Sequence, residues 1–245
     1  MMNVVIPMAG AGSRFADAGY EIPKPLIDVG GIPMVQRAVW GAGIGGRYIY
    51  IVQAEHNEKY NLTELLPTLT PELEVVVVEV DGLTDGAAAS VLAAKEYIDN
   101  DGLLVICDSD GIVAWDPNNF LIDAGESRNL DGSIAVFSGE GDKWSFVATD
   151  ENGLATEVAE KSPISNQACA GVYYWREGRN FVTYAEKMIN DNIRVDNEFY
   201  VSLVYNEAIK DFKTIGVYQV DSFTPLGTPE DLGAYLNPLL DPNKN

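Results

Sequence analysis

The sequence contains little positive charge. Among its 245 residues, 16 are Lys or Arg and 37 are Asp or Glu, which gives a formal net charge of -21. Proteins that coat nucleic acid concentrate Lys and Arg to neutralise phosphates, and this chain has no such basic stripe. The same acidity would repel an anionic membrane, and no basic amphipathic segment offsets it. We therefore expect neither nucleic acid nor a membrane as a partner.

Histidine, cysteine and long apolar runs are also scarce. The single histidine, His56, leaves no credible catalytic triad, and we predict it at a helix start or on the surface. Cys107 and Cys169 lie in apolar stretches, where reduced, buried thiols are expected. No segment approaches the ~20 consecutive apolar residues of a membrane span, and no signal-peptide pattern is present. These absences predict a cytoplasmic protein without a disulfide scaffold.

The chain has enough apolar material for a large core, since 47% of its residues are hydrophobic. In the first half, short apolar runs alternate with amphipathic stretches, which predicts a parallel sheet covered by helices on both faces. The predicted strands are residues 4–8, 48–52, 74–80 and 103–107, and the predicted helices are residues 33–40, 57–66 and 86–98.

After residue 110 the apolar runs are strand-like and joined by short turns, which favours antiparallel or mixed additions to the sheet. Strands are predicted at 132–137, 145–149, 156–158, 168–175 and 214–220, and helices at 179–189, 198–209 and from about 229. No repeat or low-complexity linker divides the chain. We predict one α/β domain with three α/β/α layers around a mixed, mostly parallel sheet.

The first predicted strand leads into residues 8–15, with the sequence MAGAGSRF. Small residues after a strand let backbone N–H groups approach an anion, and a following helix start adds positive potential. The motif is not a P-loop, because G-x-x-x-x-G-K-[ST] is absent, and Phe15 replaces the third glycine of the dinucleotide fingerprint. Taken alone, Gly10 and Gly12 are more typical of a structural turn than of a nucleotide site.

A second motif, IPKPLIDVGGIPM, occupies residues 22–34. Pro23 and Pro25 restrict the backbone on both sides of Lys24, so its ammonium is expected at a defined position. An ordinary surface lysine needs no such restriction. We therefore predict that Lys24 is a fixed cation of a functional site.

Together the two motifs, G-x-G-S-R-F followed by P-K-P-L-I-x-V-x-G-x-P-M, resemble the signature of the GT-A-like sugar-1-phosphate nucleotidylyltransferases. The resemblance spans residues 3–34 without interruption. It implies a Rossmann-like GT-A nucleotidyltransferase fold, and the transfer of NMP from an NTP to a phosphorylated small molecule. One catalytic domain is then expected over residues 1–245, with a nucleotide-binding half at 1–115 and an acceptor-binding half at 116–245.

The resemblance assigns roles on the nucleotide side. Residues 81–88 are similar to the segment that opens a helix beneath the nucleobase, with Gly86 leaving room for the ring; a helix cap at Thr84 or Asp85 is the alternative. Arg14 and Lys24 are implied as catalytic, Arg14 on the β- and γ-phosphates and Lys24 on the α-phosphate. The implied nucleotide-binding residues are Ala9, Gly10, Ala11, Gly12, Ser13, Arg14, Thr84, Gly86 and Asp108.

Two acids, Asp108 and Asp110, follow a predicted buried strand, at the end where open α/β sheets bind ligands. In the family, the aspartate matching Asp110 binds the divalent cation, so the resemblance implies Mg²⁺; solvated acids at a strand end are the alternative. Pro225 replaces a second metal-binding aspartate of many relatives. Asp196 and Glu198 are candidates for that missing ligand, although a capping box explains acids there equally well.

On the acceptor side, residues 157–163 resemble the E-K-P segment, which implies that Glu160 and Lys161 meet the acceptor. Gly171 matches a glycine of the next strand, Glu198 is a further candidate, and residues 226–232 resemble a C-terminal G-T-P-E-x-L element. The expected partners are an NTP, with CTP, UTP or dTTP favoured, and a phosphorylated small molecule. We expect a monomer or homodimer.

Residues 143–146 and 197–200 resemble a branch associated with capsule and surface-polysaccharide loci, so nucleotide-sugar or polysaccharide biosynthesis is the expected role. Some members of that branch are cytidylyltransferases, and a non-sugar acceptor such as phosphoglutamine or phosphocholine is one alternative. A GT-A glycosyltransferase would also show an acidic pair such as Asp108 and Asp110. A catalytically silent regulatory relative is the third alternative, supported by Pro225.

Overall fold

A computed structural model describes residues 1–71 and 73–240. The eleven strands within these ranges are β1 Asn3–Pro7, β2 Arg47–Gln53, β3 Glu74–Val80, β4 Leu104–Cys107, β5 Gly111–Ala114, β6 Gly132–Ser138, β7 Ser145–Thr149, β8 Ala155–Glu160, β9 Gln167–Trp175, β10 Ile215–Gln219 and β11 Ser222–Pro225. The helices are α1 Ser13–Asp17, α2 Met34–Ala42, α3 Ala54–Tyr60, α4 Leu62–Leu69, α5 Ala87–Leu92, α6 Lys95–Ile98, α7 Pro117–Ile122, α8 Gly178–Asn190, α9 Val201–Lys210 and α10 Pro229–Leu240.

A mixed sheet organises the chain, and its main path runs β10-β6-β9-β4-β1-β2-β3. Strands β4, β1, β2 and β3 are parallel neighbours, whereas β9 is antiparallel to both β4 and β6. Strands β7 and β8 extend the sheet beside β9, and β5 and β11 form a separate antiparallel ribbon. The predicted α/β class is therefore confirmed, with a parallel first half and mixed additions after it.

The core lies on both faces of this sheet. Val5 packs in one buried cluster while its neighbours Val4 and Ile6 pack in the other, so the middle of β1 is apolar on both faces. In the first cluster, Trp175 stacks on Tyr205 with ring centroids 4.3 Å apart. Burial on both faces explains why the first-half strands are continuous apolar runs rather than alternating ones.

Several predicted helix boundaries are wrong. The helix predicted over 57–66 is two helices, α3 and α4, because Asn61 adopts a left-handed conformation with φ 49°. The helix predicted over 86–98 is divided into α5 and α6, where the N–H groups of Ala93 and Ala94 donate to the carbonyls three residues earlier. Such bonds tighten the backbone into a 3₁₀ turn, which ends the α-helical ladder.

Other features agree with the sequence. Cys107 and Cys169 are both buried and free. His56 lies near the start of α3 and is half-buried, and burial lowers the pKa of its imidazole. Across residues 1–71 and 73–240, no helix combines the length and the hydropathy that a membrane crossing requires.

Candidate active site

The loop of residues 8–12 connects β1 to α1. Gly12 has φ 60°, and a Cβ placed on it would lie 3.1 Å from the Cβ of Lys24, so the loop packs directly on the second motif. Behind the loop, Nε2 of Gln53 donates to the carbonyl of Ala9 at 2.9 Å and contacts that of Gly10 at 3.4 Å. Sequence reasoning missed Gln53; its signal is a polar residue at the carboxyl end of β2, beside β1.

The backbone N–H groups of residues 10–14 have no acceptor within the described part of the chain. Gly10, Ala11 and Arg14 are also exposed. Successive unpaired N–H groups on an exposed turn can bind an anion. The loop thus has the donors that a phosphate requires.

Lys24 begins a 3₁₀ turn, Lys24–Leu26, whose second residue is Pro25. Its side chain is only 19% exposed, and its ammonium is hydrogen-bonded and ion-paired to Oδ2 of Asp110. The same ammonium lies 5.8 Å from the ring centroid of Phe15. The second motif therefore holds its cation against an acid that follows β4.

Asp108 and Asp110 lie just beyond the carboxyl end of β4. Burial, reinforced by the nearby charge of Asp110, raises the pKa of Asp108 to about 8, although Lys24 opposes the shift. Gly171 of β9 makes room for this carboxylate: its φ is +71°, and a Cβ on it would lie 2.7 Å from Oδ2 of Asp108. The carbonyl of Gly171 also accepts the Asp108 N–H at 2.8 Å.

Glu160 is the last residue of β8 and accepts a hydrogen bond from the Ser145 hydroxyl, which is 2.8 Å from the hydroxyl of Ser202. Burial raises the pKa of Glu160, and the charges of Asp196 and Glu198 add to the shift while Ser145 and Lys161 oppose it. This carboxylate is therefore held by the Ser145 hydroxyl among acidic neighbours.

Two lysines near Glu160, Lys161 and Lys143, are each paired with an aspartate. Nζ of Lys161 lies 2.5 Å from Oδ2 of Asp196 and 3.2 Å from the hydroxyl of Tyr200. Nζ of Lys143 lies 3.0 Å from Oδ1 of Asp231 and 4.5 Å from the ring centroid of Trp144. The positive charges of both lysines are thus offset by aspartates of the chain itself.

A cleft of about 290 Å³ collects seven of the predicted site residues. It is lined by Arg14, Asp108, Asp110, Glu160, Lys161, Gly171 and Glu198. The residues around it that sequence reasoning did not assign to the site include Lys143, Trp144, Ser145, Tyr200, Ser202 and Asp231. All but Ser202 lie in the segments 143–146, 197–200 and 226–232, whose resemblance to relatives was noted without assigning these residues to the site.

Other predicted residues lie beside this cleft rather than in its wall. Gly10, Ala11 and Gly12 line a smaller recess of about 170 Å³, together with Lys24 and His56, whereas Thr84 and Gly86 line neither. The recess and the cleft meet at Lys24, because this residue lines the first and its ammonium binds Asp110 of the second.

Gly86 is closely approached by the chain itself. A Cβ on Gly86 would lie 2.5 Å from the backbone N of Phe199, so the glycine makes room for this backbone. The alternative of a side-chain cap at Thr84 or Asp85 is wrong, because Gly86 caps α5 without a side-chain hydrogen bond. The Thr84 hydroxyl contacts Gly86 O at 3.1 Å and the Ser90 hydroxyl at 2.5 Å.

Glu198 does not open a helix either. It pairs with Val195 in a tight turn in which Asp196 and Asn197 have left-handed φ values, and α9 begins at Val201 without a side-chain cap. The capping-box alternative for these acids is therefore wrong. The turn places Glu198 in the wall of the cleft.

The oxygen donors of the cleft fit a divalent cation that is shared with a substrate. In the described ranges, no three His, Cys, Asp or Glu side chains are grouped as a closed metal site. Mg²⁺ commonly needs only one or two carboxylates, with substrate phosphates and water completing its shell. Asp110, with Asp108 beside it, is such a set, whereas Glu198 lines the cleft without forming a three-ligand group with them. Pro225 lines it too, opposite Gly111 in the β5–β11 ribbon.

The family model described as nucleotidyl transferase matches residues 3–205. The bifunctional protein GlmU of Methanocaldococcus jannaschii is 24% identical over 236 residues, which cover 94% of this chain and 52% of that protein. The 2-aminoethylphosphonate cytidylyltransferase of Lancefieldella rimae is 26% identical over 175 residues, covering 71% of this chain and 66% of that protein. This chain thus spans about half the length of GlmU.

A crystal structure described as the nucleoside-diphosphate-sugar pyrophosphorylase from Vibrio cholerae RC9 has the same fold. Its TM-score is 0.81 at 25% sequence identity, and the match covers 95% of this chain and 99% of that one. The agreement therefore extends across both halves of the sheet.

Proposed function

The chain belongs to the nucleotidyl transferase family, and from this premise we propose that it is an enzyme that transfers NMP from an NTP to a phosphorylated small molecule. In this reaction, an ionised phosphate oxygen of the acceptor attacks the α-phosphorus of the NTP. A new oxygen–phosphorus bond forms, the bond to the bridging oxygen breaks, and pyrophosphate leaves with its electron pair. The acceptor oxygen is already ionised, so no general base or covalent nucleophile is needed.

The observation that carries the proposal is that fixed cations and unpaired N–H groups surround one acidic centre. Arg14 and the N–H groups of residues 10–14 would hold the β- and γ-phosphates. Lys24, held against Asp110, would neutralise charge that develops at the α-phosphate. Preorganised donors of this kind stabilise transition states because they need no reorganisation during the reaction. Lys161 would orient the incoming phosphate.

Asp110, supported by Asp108, would hold Mg²⁺ together with the triphosphate oxygens. The ion supplies Lewis-acid neutralisation of the leaving pyrophosphate when it is bound. The chain itself offers the Asp110 carboxylate, which Lys24 orients. It also offers the neighbouring Asp108, whose pKa is raised by burial. Glu198, in the wall of the same cleft, would be a further oxygen donor.

A sugar 1-phosphate is the first candidate acceptor, with a role in nucleotide-sugar or surface-polysaccharide biosynthesis by a cytoplasmic monomer or homodimer. A second candidate is a cytidylyltransferase reaction on a non-sugar phosphate. The excess of acidic side chains in the cleft favours this second candidate. Lys143 and Lys161 are already paired with aspartates, while the cleft wall also contains Glu160 and Glu198. Phosphocholine and phosphoglutamine each carry an ammonium that such carboxylates would attract, as does the 2-aminoethylphosphonate of one relative.

The test is a screen of ATP, GTP, CTP, UTP and dTTP against sugar 1-phosphates, phosphocholine, phosphoglutamine and 2-aminoethylphosphonate, with pyrophosphate release as the readout. Turnover with a sugar 1-phosphate supports the first acceptor class, and turnover confined to CTP and the ammonium-bearing compounds supports the second. If no acceptor supports the release of pyrophosphate and the protein instead hydrolyses a nucleotide sugar, the glycosyltransferase alternative replaces the proposal.

A further inference from the structure

Gln53 is a buried polar residue that touches the glycine loop from behind. It is the last residue of β2 and is 8% exposed. The last backbone hydrogen bond between β1 and β2 lies before Gln53, where the N–H of Met8 donates to the carbonyl of Ile51 at 3.0 Å. Beyond that bond, the carbonyls of Ala9 and Gly10 have no backbone donor among the described residues, and the Gln53 amide contacts both.

The planarity of the peptide bond gives these contacts a consequence on the other side of the loop. In a trans peptide, a carbonyl and the following N–H point in opposite directions. No peptide bond of the described chain is cis. Because the carbonyls of Ala9 and Gly10 are turned toward Gln53, the N–H groups of Gly10 and Ala11 are turned away from it. Both N–H groups belong to exposed residues and lack an acceptor.

We propose that Gln53 is a positioning residue for the nucleotide: by binding the carbonyls of Ala9 and Gly10, it keeps the N–H groups of the loop directed at the triphosphate. This inference rests on the proposed function. Without the amide, these two peptides are free to rotate, and a carbonyl oxygen facing a phosphate repels it. Gln53 itself need not touch any substrate for this effect.

The experiment compares Gln53→Met, which keeps the length of the side chain and removes its donor, with Gln36→Met as a matched control. Nε2 of Gln36 also donates to a backbone carbonyl, that of Leu69 at 2.8 Å, but this bond does not involve the loop. Isothermal calorimetry measures the binding of inorganic tripolyphosphate with Mg²⁺. Steady-state kinetics give KM for the NTP, KM for the acceptor, and kcat. Thermal unfolding is recorded for each variant.

For Gln53→Met, we expect tripolyphosphate binding and KM for the NTP to weaken by about 10- to 100-fold, while KM for the acceptor is unchanged. Gln36→Met should leave all three unchanged. If Gln53→Met does not fold, Gln53→Asn decides the matter, because it keeps the amide but is one methylene too short to reach the loop.

Three results would overturn the inference. Wild-type affinity for tripolyphosphate in both Gln53 variants, with nucleotidyl transfer intact, contradicts the positioning role and leaves the proposed function standing. An equal rise in KM for NTP and acceptor also contradicts it, because that pattern reports general loosening of the fold. If the wild-type protein binds neither tripolyphosphate nor any NTP with Mg²⁺, the inference and the proposed function fail together.

Discussion

Lys24 and Asp110 are 86 residues apart in the chain, and the ammonium of the first is hydrogen-bonded to the carboxylate of the second. This contact joins the proline-flanked motif to the acids that follow β4. It places the proposed α-phosphate ligand beside the proposed metal ligand, which is where in-line displacement needs positive charge.

Replacing Lys24 tests its proposed catalytic role. Lys24→Met should lower kcat by about two or more orders of magnitude, because a preorganised cation lowers the activation free energy by several kcal/mol. Lys95→Met is the control, since Lys95 forms an exposed ion pair with Glu186 outside the cleft. Near-normal turnover in Lys24→Met, measured as pyrophosphate release, would exclude this role.

Gly171→Ala should damage both folding and activity, because the new Cβ would overlap Asp108 in addition to requiring a left-handed backbone. Gly153→Ala is a matched control: Gly153 has φ +70°, and its nearest atom to an added Cβ is 3.9 Å away. The control should lose about 1 kcal/mol of unfolding free energy from backbone strain alone, with activity retained.

Denaturant unfolding and turnover of the two glycine variants are to be compared side by side. Gly171→Ala should be less stable than Gly153→Ala and should lose activity. Equal stability and activity in the two variants would show that the close approach to Asp108 has no consequence.

Removal of divalent metal should abolish activity. The site has few fixed cations in a protein of formal net charge -21, so neutralisation of the triphosphate depends on the ion. EDTA should stop pyrophosphate release and excess Mg²⁺ should restore it, while Asp110→Asn should need far more Mg²⁺ for the same rate. Full activity of the wild-type protein in EDTA would contradict the metal assignment.

Asp131 links stability to pH away from the cleft. Partial burial opposes ionisation, yet the N–H and hydroxyl of Thr214, with Lys213 nearby, hold the pKa of Asp131 below its usual value. A carboxyl whose pKa is lower in the folded state stabilises the fold above its unfolded pKa of about 3.9, and this contribution disappears as pH falls through the folded pKa.

The contribution of Asp131 should therefore decrease as pH falls from about 5 toward 3, so the difference in unfolding free energy between the wild type and Asp131→Asn should shrink over that interval. Glu151→Gln makes the same change in charge at an exposed turn residue and serves as the control. Chemical denaturation at each pH provides the measurement. Identical pH slopes for wild type and Asp131→Asn would refute the link.

Much of the fold could be predicted because local pattern and tertiary role agree. The strand predicted at 145–149 coincides with β7, and the continuous apolar run at 74–80 coincides with β3. The break at Asn61 was missed because a left-handed residue inside a helical pattern leaves no signal in hydrophobic periodicity. The β5–β11 ribbon was missed because its pairing joins segments more than 100 residues apart.

The candidate site likewise contains some residues that could be predicted from the sequence and others that could not. Lys24 and Asp110 belong to short motifs that carry the family resemblance, so the resemblance implied their roles from sequence alone. Gln53 lies in no such motif. Lys143 and Asp231 each lie in a segment with a noted resemblance, but their ion pair joins residues 88 positions apart, and no local pattern predicts it. Gly86 was indicated as room for a nucleobase, and the close neighbour that the structure shows is the backbone of Phe199, 113 residues away.

The central claim is nucleotidyl transfer to a phosphorylated acceptor, and exchange of radiolabelled pyrophosphate into NTP tests it most directly. The reaction is reversible, so the wild-type protein with Mg²⁺, an NTP and its acceptor should incorporate label into the NTP, and Lys24→Met should incorporate almost none. The absence of exchange with every NTP and every phosphorylated acceptor tested would contradict the claim.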